Sequence, residues 1–432
     1  MTRTPALVAA AVWLVFAAAQ ADAPLVTWTQ YTAQGVEVRA LPAVGETNCP
    51  SLTVDGKPAA MTLRAAANTD FTRAVCALAL PAGVKSVTTP DGHAVPVPVA
   101  DPRHILVLGD TGCRIKGTAL QACNDPKAWP FAGLAKAAAG EKPDMIIDLG
   151  DYLYRESPCP DSFPGCKGSP WGDNWASWDA DWFTPAQPLF DAAPILLIRG
   201  NHEDCYRAGP GFLRFMGPGA FDPAAKCIDH LDPYTVKLGG ETIGVIDSAD
   251  AADVPLDEKM APVFATDFDA LKAMGQGLPS GHELWFATHR PLWAAITYMG
   301  APAGGNATMI KAAGDLTAFQ AVSLMLAGHI HAFEAINYEG TQIPPQIVAG
   351  HGGDNLDNTP ADLRGTTFQG TSGVHVKDGF SVPGFGYLML TRERGNAGWT
   401  VQLYDSDGRK EQKCVFENRA LFCLGKGLKK KS

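Results

Sequence analysis

Five unbroken apolar runs punctuate the middle of the chain: Ile105-Leu106-Val107-Leu108, Met145-Ile146-Ile147, Ile195-Leu196-Leu197-Ile198, Leu284-Trp285-Phe286-Ala287 and Leu324-Met325-Leu326-Ala327. Such runs, without polar alternation, belong to strands covered on both faces. Segments with helical apolar spacing accompany them: alanine-rich Trp129 to Gly140, Asp267 to Met274, and Ala313 to Met325. Strands alternating with helices predict an α/β architecture over residues 101–408. Upstream the pattern differs. Val36-Glu37-Val38-Arg39-Ala40 alternates as a half-buried strand does, and turn signals fall at Asp55-Gly56, Pro81-Ala82-Gly83 and Asp91-Gly92. Residues 24–100 therefore read as a small β-rich domain. Val95-Pro96-Val97-Pro98-Val99 closes this stretch, either as a stiff connector or as an edge strand, where proline is tolerated. Gly386 to Leu390 reads as a late strand of the second sheet, and residues 409–432 as a tail.

Each apolar run ends in residues that can bind metal. After the first comes Gly109-Asp110-Thr111-Gly112; after the second, Gly150-Asp151-Tyr152-Leu153-Tyr154; after the third, Gly200-Asn201-His202-Glu203. His289 comes after the fourth, and Gly328-His329-Ile330-His331 after the fifth. In open α/β sheets, ligands collect beyond the carboxyl ends of the strands, and all five motifs fall there. A lone Gly-Asp is usually a plain turn, and a lone histidine is as readily a core residue. Two histidines separated by one residue of extended backbone point to the same side. Between the second and third motifs, Arg155 to Ala193 holds Trp171, Trp175, Trp178 and Trp182. These form either a rim that stacks on a substrate or an aromatic mini-core.

Charge and cysteine content narrow the function classes. A net charge of -10 argues against a protein that coats nucleic acid. The basic cluster from Lys426 to Lys431 reads as a solvated tail rather than an anchor. Residues 1–23 read as a signal peptide: Arg3, an uncharged stretch from Ala6 to Ala19, then small residues allowing cleavage after Ala21 or Ala23. The stretch is short for a membrane span; the rival reading is an uncleaved anchor. No second apolar run has spanning length, so the mature protein is expected to be secreted or periplasmic without a stable membrane span. Ten cysteines suit an oxidising compartment. The expected pairs are sequence neighbours: Cys49–Cys76, Cys113–Cys123, Cys159–Cys166, Cys205–Cys227 and Cys414–Cys423.

Carboxylate, amide oxygen and imidazole suit hard or borderline metal ions, and the motifs hold enough of them for two. Two ions ~3.5–4 Å apart need a bridging ligand, and Asp151 occupies the central motif. A hydroxide held between them is the expected nucleophile. Neither a G-x-S-x-G elbow nor a P-loop is present.

Together the motifs resemble those of the calcineurin-like metallophosphoesterases, and in particular the purple acid phosphatase branch: Asp-x-Gly, Gly-Asp-x-x-Tyr, Gly-Asn-His-Glu, a histidine after a strand, and Gly-His-x-His. Most of the wider superfamily has Asp-x-His first; here Gly112 replaces that histidine and Tyr154 supplies the ligand. The resemblance runs from about Arg103 to Asp405. It implies a four-layer sandwich, two mixed β-sheets flanked by helices, with a small N-terminal β domain. It also implies one ion on Asp110, Asp151, Tyr154 and His331, and a second on Asp151, Asn201, His289 and His329. The phenolate favours Fe(III) in the first site; zinc, manganese or Fe(II) would take the second. His202 would be the catalytic acid or a donor to phosphoryl oxygens. Glu203, Arg155 and Arg290 are substrate-side candidates, with Glu203 alternatively orienting His202 or a ligand. Substrate-contacting histidines found in family members have no clear counterpart in His230, His282 or His351. The expected activity is hydrolysis of small phosphate monoesters, with a phosphodiesterase on nucleotides or lipid head groups as the rival. The rival of another class is a secreted, non-catalytic binding protein. Oligomeric state is not legible.

Overall fold

The computed structural model describes residues 25–298, 301–340, 342–366, 368, 374–393, 395 and 398–424. The signal segment 1–23 and the lysine-rich tail lie outside them. Two mixed sheets carry the architecture. In the eleven-stranded sheet, His104–Leu108, Met145–Asp148 and Ile195–Leu197 run parallel at the centre. In the seven-stranded sheet, Glu241–Val245, Glu283–Ala287, Val322–Ala327 and Gln346–Ala349 are parallel.

The unbroken apolar runs are strands buried on both faces. Ile105 and Val107 join Trp285, Leu324 and Leu326 in a core between the sheets. Leu106 and Leu108 point the other way, into a core with the helix Phe131–Gly140. That helix buries Phe131, Leu134, Ala135 and Ala138, the spacing of a single helical face. On the outer face of the second sheet, Phe264, Phe268 and Leu271 of the helix Ala261–Gln276 pack with Leu284, Phe286 and Met325. Helix, sheet, sheet and helix make four layers.

Three sequence expectations change. Residues 409–432 are not simply a tail: Lys410–Glu417 and Ala420–Leu424 are strands at one edge of the eleven-stranded sheet. Ala313 to Met325 is not one helix. Asn306 caps a helix at Ala307–Ala313 by accepting from the Met309 backbone N–H at 2.8 Å. The helix then stops at Gly314, with φ +57°, and the remaining apolar residues enter the buried strand Val322–Ala327. Gly386–Thr391 pairs with His104–Leu108, so it belongs to the eleven-stranded sheet with the first three motifs and not to the second sheet.

The N-terminal β region is present and joined edge to edge with the larger sheet: Val26–Thr32 pairs in parallel with Ile195–Leu197. A four-stranded sheet beyond it has its own core around Val38, Leu52, Val87 and Val95. Val95 ends a short strand there, and Thr29 donates to the Pro96 carbonyl, so the proline-rich run begins as part of that sheet. All five disulfides join the expected neighbours. Among the described residues no helix is long and apolar enough to cross a membrane.

Candidate metal centre

Strands of both sheets end at one place, and the backbone there is strained. Asp110, Asp151 and His329 have φ of 57°, 61° and 70°. A left-handed backbone at a residue other than glycine costs of order 1–3 kcal/mol and clusters at functional sites. The glycines beside them let the loops close. A Cβ on Gly200 would lie 2.1 Å from Asp151 Oδ1. A Cβ on Gly112 would lie 2.7 Å from the Tyr154 ring, so a side chain at 112 and the phenol at 154 compete for one space.

The side chains form two donor groups. In the first, Tyr154 Oη lies 3.1 Å from Asp110 Oδ1, 2.8 Å from Asp151 Oδ2 and 3.0 Å from His331 Nε2. In the second, His289 Nε2 lies 3.1 Å from both Asp151 Oδ2 and Asn201 Oδ1. His329 joins this group, with ligand atoms of Asp151, His289 and His329 all within 4.8 Å of one another. Donors about 2.0–2.2 Å from an ion and at right angles around it stand about 3 Å apart, which is the spacing here. Asp151 Oδ2 belongs to both groups. Its Oδ1 accepts from the His202 backbone N–H at 2.7 Å.

Histidine tautomers suit the same use. His289 Nδ1 meets the Leu149 carbonyl at 2.7 Å, and His331 Nδ1 meets the Asn355 carbonyl at 2.7 Å. Each carbonyl can only accept, so it takes the Nδ1 proton and reserves Nε2, the nitrogen facing the carboxylates, for an ion. Burial, then Asp110 and Asp151, push the Tyr154 phenol well above its ordinary value. Burial pushes Asp151 up as well, but His289 and His202 outweigh it and hold the carboxyl well below the usual range. Two fully buried carboxylates facing a phenol call for positive charge between them. The donor set therefore fits two metal ions.

His202 sits over this centre, its ring 3.8 Å from that of Tyr154. Glu156 Oε1 lies 2.5 Å from its Nδ1. Burial lowers His202 to about 4, against the pull of Asp151 and Glu156. Glu203 faces the other way. Fully buried, it accepts from the backbone N–H groups of Asp151, Tyr152, Leu153 and Gly200 at 2.9–3.1 Å and so shapes the Asp151 loop from beneath. Arg155 is engaged internally, its Nε 2.5 Å from Asp181 Oδ1 and its guanidinium over Trp129. Arg290 stays near the ligands, bonded to Asp253 and 3.1 Å from His329 Nε2.

Trp178 and Trp182 are buried with Phe131, Tyr152, Phe183 and Phe215, a mini-core that supports the Tyr152 end of the Asp151 loop. Trp171 alone of the four is half exposed. His282 is exposed and precedes the strand that ends near His289, so it lies at the far end from the site. His351 is buried against Phe333. His230 is held between Asp250, at 3.2 Å, and Asp267, at 2.8 Å. Burial opposes its protonation, but the two carboxylates raise it to about 10. A histidine raised in the folded state stabilises fully below its unfolded pKa, about 6.5, and loses that contribution as pH rises through the folded value. His230→Gln should therefore lower the urea midpoint strongly at about pH 6 and little above about pH 10; equal losses at both would contradict this.

Glu156, Asp253, Arg114 and Asp354 were not anticipated. Glu156 lies two residues after Tyr154 and could have been found by extending that motif. Asp253, far from every motif, gives no sequence signal. Arg114 pairs with Asp354 and lies over the Tyr154 ring, its Cζ 4.8 Å from the centroid.

The two-sheet sandwich carries, at its strand ends, two groups of side chains that could each hold a metal ion and that share Asp151. The chain belongs to the calcineurin-like phosphoesterase family, whose model matches residues 103–333, more than half its length; it is a metal-dependent phosphoric ester hydrolase. No curated protein matches it by sequence comparison. Among solved structures its fold is similar to that of purple acid phosphatase PPD1 from yellow lupin (Lupinus luteus), with 12% identity, TM-score 0.57, and coverage of 90% of this chain and 73% of that one. It is similar also to PhoD, with 10% identity, TM-score 0.56, and coverage of 94% and 92%.

Proposed function

We propose that the protein is an exported phosphatase that hydrolyses small phosphate monoesters, with Fe(III) on Asp110, Asp151, Tyr154 and His331 and zinc, manganese or Fe(II) on Asp151, Asn201, His289 and His329. The observation that carries this reading is the sharing of Asp151 Oδ2 between Tyr154 Oη and His289 Nε2. Phenol supplies the ligand that favours ferric iron, and Gly112 leaves the room it needs. Five disulfides, accounting for all ten cysteines, support export, since such bonds persist outside the reducing cytosol.

Two bound ions supply a nucleophile from water near neutral pH and draw charge from the phosphoryl group. The chain's residues do the rest. Glu156 holds His202 by Nδ1, which directs Nε2 to the substrate side. When protonated on both nitrogens, a form that the lowered pKa confines to acidic solution, His202 would hand its Nε2 proton to the departing oxygen or donate it to a phosphoryl oxygen. Glu203 and the glycines keep Asp151 in its strained conformation, so the carboxylate is in place before ions or substrate arrive. Arg290 is the cation best placed beside the second group.

Purified protein is expected to hydrolyse an aryl phosphate monoester faster than the matching bis-aryl diester. Preference for the diester would overturn the monoester assignment, and inactivity on both with two ions bound would overturn the enzymatic one.

A further inference from the structure

We infer that Asp253 is a positioning residue for the second metal site, fixing His329 so that its Nδ1 faces Asp151 and His289; the inference rests on the two-ion reading above. His329 Nε2 lies 2.9 Å from Asp253 Oδ2 and 3.1 Å from the Arg290 guanidinium. A nitrogen flanked by a carboxylate and a cation has no room for an ion, so Nδ1 is the atom left for one. A histidine that binds metal through one nitrogen gives its other N–H to a carboxylate or carbonyl, which fixes the ring and raises its basicity. His289 and His331 use backbone carbonyls for this purpose. His329 uses a side chain from a distant loop.

That loop is anchored where the anchoring counts. Asn306, fully buried, donates to Asp253 Oδ1 and to the Ala251 carbonyl, each at 2.9 Å. Asp253 also pairs with Arg290, the residue after His289. Upstream in the same loop, Ser248 Oγ accepts from the Arg290 backbone N–H and from Thr288 Oγ1, each at 2.8 Å. One carboxylate thus links the segments that carry both histidines of the second donor group. The need is acute at His329, whose backbone is left-handed and does not hold the side chain by regular strand pairing.

The test is the affinity of each ion, measured by chelator competition and metal analysis on the full chain, for the parent, Asp253→Ala and Asp253→Asn. Asp253→Asn keeps the size and one acceptor oxygen, so it guards against a misfolded alanine variant. Expected is an about 10–100-fold weaker second ion in Asp253→Ala, a smaller loss in Asp253→Asn, and an unchanged first ion. The loss of second-ion affinity in Asp253→Asn should exceed what the change in its metal-free thermal midpoint accounts for, while the first ion keeps parental affinity, a split that a merely structural role would not predict. Parental affinity for both ions in both variants overturns the inference. A parent that holds one ion or none overturns the two-ion reading, and the inference with it.

Discussion

Asp151→Ala is expected to lose both metal ions and to reduce phosphoester hydrolysis by on the order of 10³-fold or more, since losing even one charge-stabilising group costs about 10²–10³-fold. The expectation rests on one side chain. Oδ2 of Asp151 is the donor that Tyr154 and His289 share, and Oδ1 is tied to the His202 backbone. Removing the carboxylate strips a ligand from each ion and also frees the Gly200 loop. Asp151→Asn separates charge from shape: asparagine tolerates left-handed backbone and fills the same volume, yet it bridges two cations poorly. It should fold with the parental thermal midpoint when metal-free, while binding the ions far more weakly. An Asp151→Asn protein with full metal content and full rate would exclude this residue as the bridge.

His202→Ala should keep both ions and lose about 10²–10⁴-fold in rate, the range for removing a general acid or base. In the proposed scheme its ring contributes a proton or a hydrogen bond, not a ligand, because its Nδ1 is occupied by Glu156. The loss should depend on the leaving group. An alkyl phosphate, whose alkoxide needs protonation, should suffer most; an activated aryl phosphate, whose phenoxide departs unaided, should suffer least. Glu156→Gln should reproduce this pattern at smaller amplitude, since glutamine keeps an oxygen beside Nδ1 but carries no charge. Uniform loss across leaving groups would make His202 a donor to the phosphoryl oxygens rather than the acid, and loss of metal in His202→Ala would place it among the ligands instead.

The candidate site was legible because its parts are local. Each candidate ligand follows closely on an apolar strand, and in four of the five motifs glycine, turn residue and candidate ligand lie within five positions of one another. The parts that were not legible are non-local. Asp253 reaches His329 across 76 residues, and Asp354 reaches Arg114 across 240. Nothing in a window of sequence announces either pairing. Glu203 read either as a substrate-side carboxylate or as one that orients His202 or a ligand; only the fold reveals the four backbone donors that satisfy it. The misread helix at Ala313 to Met325 has a similar cause. Apolar residues at helical spacing are also compatible with a helix end, a turn and a buried strand in succession, and Gly314 was the one local sign of the break.

Whether Asp151 holds a pair of ions, one of them on Tyr154, is decided by the metal content of the purified protein together with its visible absorption spectrum. Two ions per chain are expected, one of them iron, with a charge-transfer band that disappears in Tyr154→Phe. A protein that hydrolyses aryl phosphate at full rate while holding a single ion or none would contradict the shared-carboxylate centre.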